Sequence, residues 1–181
     1  MIFEKKKIRG LILVKPEPFI DKRGLFRRVY CSRELKIINK NFSIKQINIS
    51  ENENIHTLRG FHYQKLPYGE DKIITCIQGE IHNIVIDMRK KSGTYMKWQS
   101  FCLTEKNRMA LLVPKGCANA YLTLKKKTWV LYFHSQFYKK NFEKSVRFDD
   151  PKFNFDWPYK PKIISKKDKM IKYLKWKFSF Q

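Results

Sequence analysis

The sequence predicts a mainly β, antiparallel domain. Short apolar runs recur at regular spacing, each bounded by Gly, Pro, Asp, Asn or Ser, the pattern of strands joined by turns in a sandwich or barrel. Two connections carry hairpin signals: Lys72–Ile77 passes through Gln78-Gly79 into Glu80–Arg89, and Ala120–Leu124 passes through a lysine turn into Thr128–Ser135. Strands do not alternate with helices, and there is no Walker loop and no Gly-x-Gly-x-x-Gly, which excludes the nucleotide-binding folds built on a parallel sheet.

The run Ile8 to Val14, broken by Gly10, reads as a first strand; Lys15-Pro16-Glu17-Pro18 ends it, because proline cannot continue a central ladder. Asp21 to Gly24 is a turn into a strand over Leu25–Cys31 that carries basic side chains. Ser32 to Ile38 reads as one short helix with Ser32 as its N-cap. Phe42 to Ser50 alternates, with Ile44, Gln46, Asn48 and Ser50 on one face; amides spaced by two line either a polar cavity or solvent. The polar loop Glu51–His56 leads into a strand over Thr57–Gln64, and Lys65–Asp71, with Pro67 and Gly69, is another loop. Further on, Lys97–Leu103 and Arg108–Val113 read as strands, the second stopped by Pro114-Lys115-Gly116. Val146–Tyr159 is loop-like. Ser165–Lys177 fits an amphipathic helix with Ser165 as N-cap, Asp168 in its first turn, and Met170, Ile171, Leu174 and Trp176 as a stripe that packs on the body. No repeat or linker interrupts this pattern, so a single domain over residues 1–181 is expected.

Aromatics at 15% and hydrophobic residues at 43% describe a folded chain. The formal net charge of +23 is spread from Lys5 to Lys177, and no zinc-finger or aromatic RNA-binding signature accompanies it. The charge therefore reads as solvated surface that also attracts anionic small ligands, with neither nucleic acid nor membrane as a partner. No apolar run is long enough to span a bilayer and no signal-type segment opens the chain, so a cytoplasmic protein is expected. Cys31, Cys76, Cys102 and Cys117 are scattered without a Cys-x-x-Cys, which favours reduced thiols.

Candidate chemistry gathers on Thr57-Leu58-Arg59-Gly60-Phe61-His62-Tyr63-Gln64. Histidine titrates near neutrality and serves as a general base; arginine stays charged and grips phosphate or carboxylate with a planar fork. On a regular strand Arg59 and His62 face opposite sides, so a shared site requires a twist or bulge at Gly60. Taken alone, His62 reads more readily as a packed structural histidine.

An ordered series of motifs changes that reading. Asp21-x-Arg23-Gly24-x-Phe26 is followed by Gln46-x-Asn48-x-Ser50, Arg59-Gly60-x-His62-x-Gln64, Lys72, Gly79, Asp87-x-Arg89 and Ser92-x-Thr94-Tyr95, then by Pro114-x-Gly116, Tyr132, Glu143, Asp150-Pro151, Trp157-Pro158 and Ser165-x-Lys167-Asp168. Each is weak alone; the series, covering roughly residues 2–170, resembles the dTDP-4-dehydrorhamnose 3,5-epimerase family of nucleotide-sugar epimerases. The resemblance implies a cupin-type β jelly roll with short peripheral helices that dimerises by strand exchange. It implies a reaction in which a base removes a proton beside a 4-keto group, an enolate forms, and an acid returns a proton from the opposite face.

By the same resemblance His62 is the base, Asp168 its orienting carboxylate, Tyr132 the acid, and Lys72 the cation at the enolate oxygen. Arg59 holds phosphate or enolate, Gln46 and Asn48 line the pocket, Glu143 lies toward the nucleotide, and Arg23 reaches the nucleotide from a neighbouring subunit. From residue type alone Asp168 reads equally as a helix-capping residue, Tyr132 as core and Lys72 as an ordinary strand lysine. The chain departs from the family at Asn119, where a histidine is usual in Pro-x-Gly-Phe-Ala-His-Gly, and at Arg28, where glutamate is usual. Asn119 hydrogen-bonds but cannot shuttle a proton, which points to altered sugar shape or action at one carbon. Arg28 reverses a charge near the nucleotide and points to a GDP-linked hexose or heptose. No cofactor and no metal is expected, since the site region does not gather three good ligands. Other readings are an enzyme acting at carbon 3 alone, a ketoisomerase, and an inactive cupin that binds sugar nucleotides.

Overall fold

The structure, a computed structural model, describes residues 1–175. In chain order its strands are Ile2–Lys5 (β1), Ile12–Lys15 (β2), Phe19–Asp21 (β3), Gly24–Phe26 (β4), Gln46–Asn52 (β5), Thr57–Gln64 (β6), Lys72–Gln78 (β7), Glu80–Asp87 (β8), Trp98–Thr104 (β9), Ala110–Val113 (β10), Cys117–Thr123 (β11), Thr128–His134 (β12), Glu143–Ser145 (β13) and Ile163–Ile164 (β14). Two short helices, Ser32–Ile38 (α1) and Lys166–Lys169 (α2), lie outside the sheets. One sheet runs β1-β2-β10-β7-β12-β5 and the other β13-β6-β11-β8-β9, all neighbours antiparallel; β14 adds to β6 in parallel.

The strand period of two sorts side chains into three apolar layers. Ile74, Leu111, Val113 and Val130 of the first sheet meet Ile81, Val85, Leu103 and Cys117 of the second between the sheets. The alternate positions Ile12, Ile73, Leu112 and Phe133 face outward under Leu35 of α1 and Phe42. On the far side Phe61, Ile84, Ile86 and Ala118 are covered by Val146, Phe153 and the partly buried Phe155, Trp157 and Leu174. The residues over 146–159 are thus the outer cover of the second sheet. Asp87 accepts hydrogen bonds from Arg89, Ser92 and Thr94 side chains and ties down the β8–β9 connection, so that part of the motif series is structural.

Three element expectations change. Ile8–Val14 is a turn followed by a strand: Leu11 N–H bonds the Ile8 carbonyl, and Gly10 takes φ +84°, so pairing starts at Ile12. Ile8 and Leu11 are apolar because they are core. The strand expected over Leu25–Cys31 stops at Phe26, because β4 has only β3 as partner and no ladder to extend. The helix expected over Ser165–Lys177 ends at Lys169, with Trp176 and Lys177 outside the described residues. Side chains take the backbone groups that would prolong it: Arg147 Nη1 donates to the carbonyls of Lys169 and Ile171, and Asp150 accepts from Leu174 N–H. At α1 the cap is Cys31 rather than Ser32, with no side-chain capping bond.

Candidate active site

A cavity of about 570 Å³ opens at one end of the space between the sheets. There the inner faces of the strands change from apolar to polar: β12 carries Val130 and then Tyr132 and His134, and β7 carries Cys76 and Ile74 and then Lys72.

His62 and Arg59 both line this cavity, and a bulge puts them there. On β11 the partners of His62 and Arg59 are Asn119 and Tyr121, two residues apart where the β6 residues are three apart. The extra residue lies at Gly60, with φ +119°, where a Cβ would sit 2.6 Å from the backbone and side chain of Ala120. Only glycine fits that conformation and that approach. Phe61 is turned to the outer face against Phe155 and Trp157.

His62 Nε2 lies 2.7 Å from Asp168 Oδ1. Ser165 caps α2 by accepting from the Asp168 N–H at 3.0 Å, so Asp168 takes part in the helix cap through its backbone while its carboxylate meets His62. Burial works to raise the Asp168 carboxyl, but the bond to His62 and its charge, with Ser165 and Lys167 nearby, together outweigh it and hold the group below its ordinary range. An ionised Asp168 accepts a hydrogen bond from the Nε2–H, which leaves Nδ1 as the nitrogen of His62 with a free lone pair.

The facing wall comes from the first sheet. Tyr132 lines the cavity, and burial together with the adjacent Tyr121 phenol pushes its hydroxyl well above the usual tyrosine range, so it stays protonated. Lys72 is buried, with Nζ 3.3 Å from Glu70 and 3.5 Å from the His62 carbonyl. Arg59 Nε donates to Asn52 at 2.9 Å, and Asn52 with Ser50 also holds the Tyr121 hydroxyl. Near the mouth Glu143 accepts from Tyr138 Oη at 3.0 Å and pairs with Lys167 at 2.5 Å. Burial alone would raise Glu143, but those two bonds hold it low.

Of the residues expected from sequence, the cavity gathers His62, Asp168, Tyr132, Lys72, Arg59, Asn48, Asn119 and Glu143. Gln46 stands on β5 opposite His134 and accepts from the Tyr138 N–H at 3.3 Å, one step beyond the lining. Arg23 and Arg28 do not line it: Arg23 sits on the exposed β3–β4 hairpin paired to Asp21, and Arg28 is paired to Glu34 at 2.6 Å. Sequence reasoning gave no site role to Glu70, His134, Tyr138 or Lys167, although Lys167 stands in the motif series. One of them had a legible signal, since His134 follows Tyr132 by two, the spacing that shares a strand face.

The family model described as dTDP-4-dehydrorhamnose 3,5-epimerase matches residues 5–175. A Shigella flexneri protein named dTDP-4-dehydrorhamnose 3,5-epimerase is 30% identical over 167 residues, 91% of each chain. One of the same name from Methanothermobacter thermautotrophicus is 31% identical over 178 residues, 96% of this chain and 94% of the other. A crystal structure of dTDP-4-dehydrorhamnose 3,5-epimerase from Bacillus anthracis, with TDP and pyrophosphate bound, superimposes with a TM-score of 0.92 at 32% identity, covering 96% of this chain and 99% of that one.

Proposed function

The chain belongs to the dTDP-4-dehydrorhamnose 3,5-epimerase family, and on that premise we propose that it epimerises a nucleotide-linked 4-keto-6-deoxy sugar at carbons 3 and 5 through an enolate. The observation that carries this reading is that an imidazole–carboxylate base and a protonated phenol enter one cavity from opposite sheets. Inversion needs that: His62 Nδ1 takes the proton on one face of the ring, and Tyr132 Oη returns one on the other. Asp168 fixes the imidazole and stabilises it once charged. Lys72, buried beside the site, faces the oxygen on which charge develops.

The carrier is thymidine or guanosine diphosphate. TDP is what the Bacillus anthracis relative holds; GDP is the reading that Arg28 favours, although here Arg28 is turned to Glu34. Action at carbon 3 alone is favoured by Asn119, the buried partner of His62 across β11 and β6. The working form is a homodimer by strand exchange, in which the exposed hairpin bearing Arg23, Phe19, Ile20 and Phe26 reaches a second copy. No described helix is long and apolar enough to cross a membrane, and we place the enzyme in the cytoplasm, where nucleotide sugars are made.

Proton NMR in heavy water with dTDP- and GDP-linked 4-keto-6-deoxy sugars tests the proposal. Loss of both the carbon-3 and carbon-5 signals is expected, the faster carrier naming the nucleotide; loss at carbon 3 alone selects the second reading. His62→Asn is expected to slow exchange by at least about a hundredfold with an unchanged unfolding midpoint. Full activity in that variant would end this mechanism.

A further inference from the structure

The cavity contains a second imidazole–carboxylate pair that the mechanism above does not use. His134 Nδ1 lies 2.8 Å from Glu70 Oε2, and the same carboxylate holds Lys72 Nζ at 3.3 Å through its other oxygen. All three side chains are largely buried, at 14%, 10% and 7% exposure, and all three line the cavity. His134 and Lys72 are direct partners across β12 and β7, so the register places both on the inner face. The His134 ring lies parallel to that of Tyr132, with centroids 5.7 Å apart and planes 19° apart.

Charge settles the form of the pair. Burial works to raise Glu70, but the Lys72 ammonium and the bond from His134 overcome it and the carboxyl falls to about 2. An ionised Glu70 accepts the Nδ1–H, which fixes the tautomer and leaves Nε2 as the second, open nitrogen. Among the described residues Nε2 has no hydrogen-bond partner, whereas every nitrogen or oxygen of Lys72 and Glu70 at this junction is engaged. A buried imidazole oriented at one nitrogen and open at the other, on the wall of a ligand cavity, is arranged to meet a polar group of the ligand.

Resting on the epimerase reading, we propose that His134 is a substrate-binding residue of the sugar subsite, its Nε2 bonding a hydroxyl of the ring, and that Glu70 is the positioning residue that sets both His134 and Lys72. The first sheet then presents three groups to the sugar from one short stretch of wall: the Tyr132 phenol, the Lys72 ammonium and the His134 imidazole. Asn119 offers the fourth polar contact from the second sheet. Glu70 comes from the loop that leads into β7, so one loop carboxylate sets the orientation of groups on two strands.

Binding calorimetry with dTDP and with dTDP-glucose, or their guanosine counterparts if those bind the wild type more tightly, tests this without requiring turnover. The proteins are the wild type, His134→Phe, His134→Gln and Glu70→Gln. His134→Phe is expected to weaken the sugar-bearing ligand about tenfold and leave the bare nucleotide diphosphate unchanged. His134→Gln, which keeps a polar atom near the Nε2 position, recovers most of the loss, and Glu70→Gln falls between. Equal affinity for the sugar ligand in His134→Phe, or equal weakening of both ligands, overturns the inference. A wild type that binds both ligands but turns over no 4-keto sugar removes the reaction and leaves the sugar contact standing; one that binds neither removes both.

Discussion

The space between the two sheets has a dry end toward β10, β8 and β9 and a wet end toward β5 and β6, and β7 and β12 carry inward residues to both. At the dry end Leu111, Val113, Val130, Ile81 and Leu103 pack into one apolar cluster. At the wet end Lys72, Tyr132, His134 and Asn119 take the inward positions and line a cavity, with Lys72 directly across β7 and β10 from Val113. The dry end supplies cohesion through burial; the wet end holds charged groups whose desolvation is met by pairing: His62 with Asp168, and Lys72 and His134 with Glu70. A rigid site therefore grows from the core's own strands, and its residues should respond to substitution differently from their apolar neighbours.

The largest expected contrast is between Tyr132→Phe and Leu111→Ala. Removing the phenol is expected to cut epimer formation by about 10²–10⁴-fold while His62 still exchanges a proton at its own face, so deuterium enters without inversion. The unfolding midpoint should barely move. Leu111→Ala should do the reverse, costing about 2–5 kcal/mol of stability with kcat nearly intact in the folded fraction. Equal losses of activity in both variants would break the division between the two ends.

Gly60→Ala probes the join between them. Its Cβ meets Ala120 at 2.6 Å with φ +119°, so the bulge must shift or strain, at about 1–3 kcal/mol. Because the bulge is what brings Arg59 and His62 to one face, activity should fall further than the stability loss explains. A variant that loses stability yet keeps full kcat/KM would mean that the register on β6 survives without glycine.

Much of this was readable in the chain. The strand order of apolar runs gave the antiparallel class, and Arg59, Gly60 and His62 at odd spacing already demanded a bulge if both served one site. Less legible was whatever depends on partners far apart in sequence. Asp168 reaches His62 across 106 positions, and no local pattern encodes that pairing. Glu70 reads as an ordinary loop acid until β7 and β12 bring Lys72 and His134 against it. The C-terminal helix was overextended because its period was intact in the sequence, while Arg147 and Asp150, distant in the chain, capture the backbone groups that would have continued it.

The smallest expected effect separates the two ends by pH. The Glu70 carboxyl sits at about 2 in the folded protein against an ordinary 4.5. A group depressed on folding stabilises the fold above its unfolded pKa, and that contribution is lost as pH falls through 4.5 toward 2. Asp168 is shifted in the same direction and adds to the same acid limb. Between pH 6 and pH 3 the wild type should therefore lose about 1–2 kcal/mol that Glu70→Gln does not lose, read from denaturant midpoints at each pH. Leu111→Ala should track the wild type at a constant offset, since a methyl cavity at the dry end carries no proton. If Glu70→Gln instead kept the wild-type acid slope, the carboxylate would be bearing no net stabilising charge, and its hold on Lys72 and His134 would have to be one of packing alone.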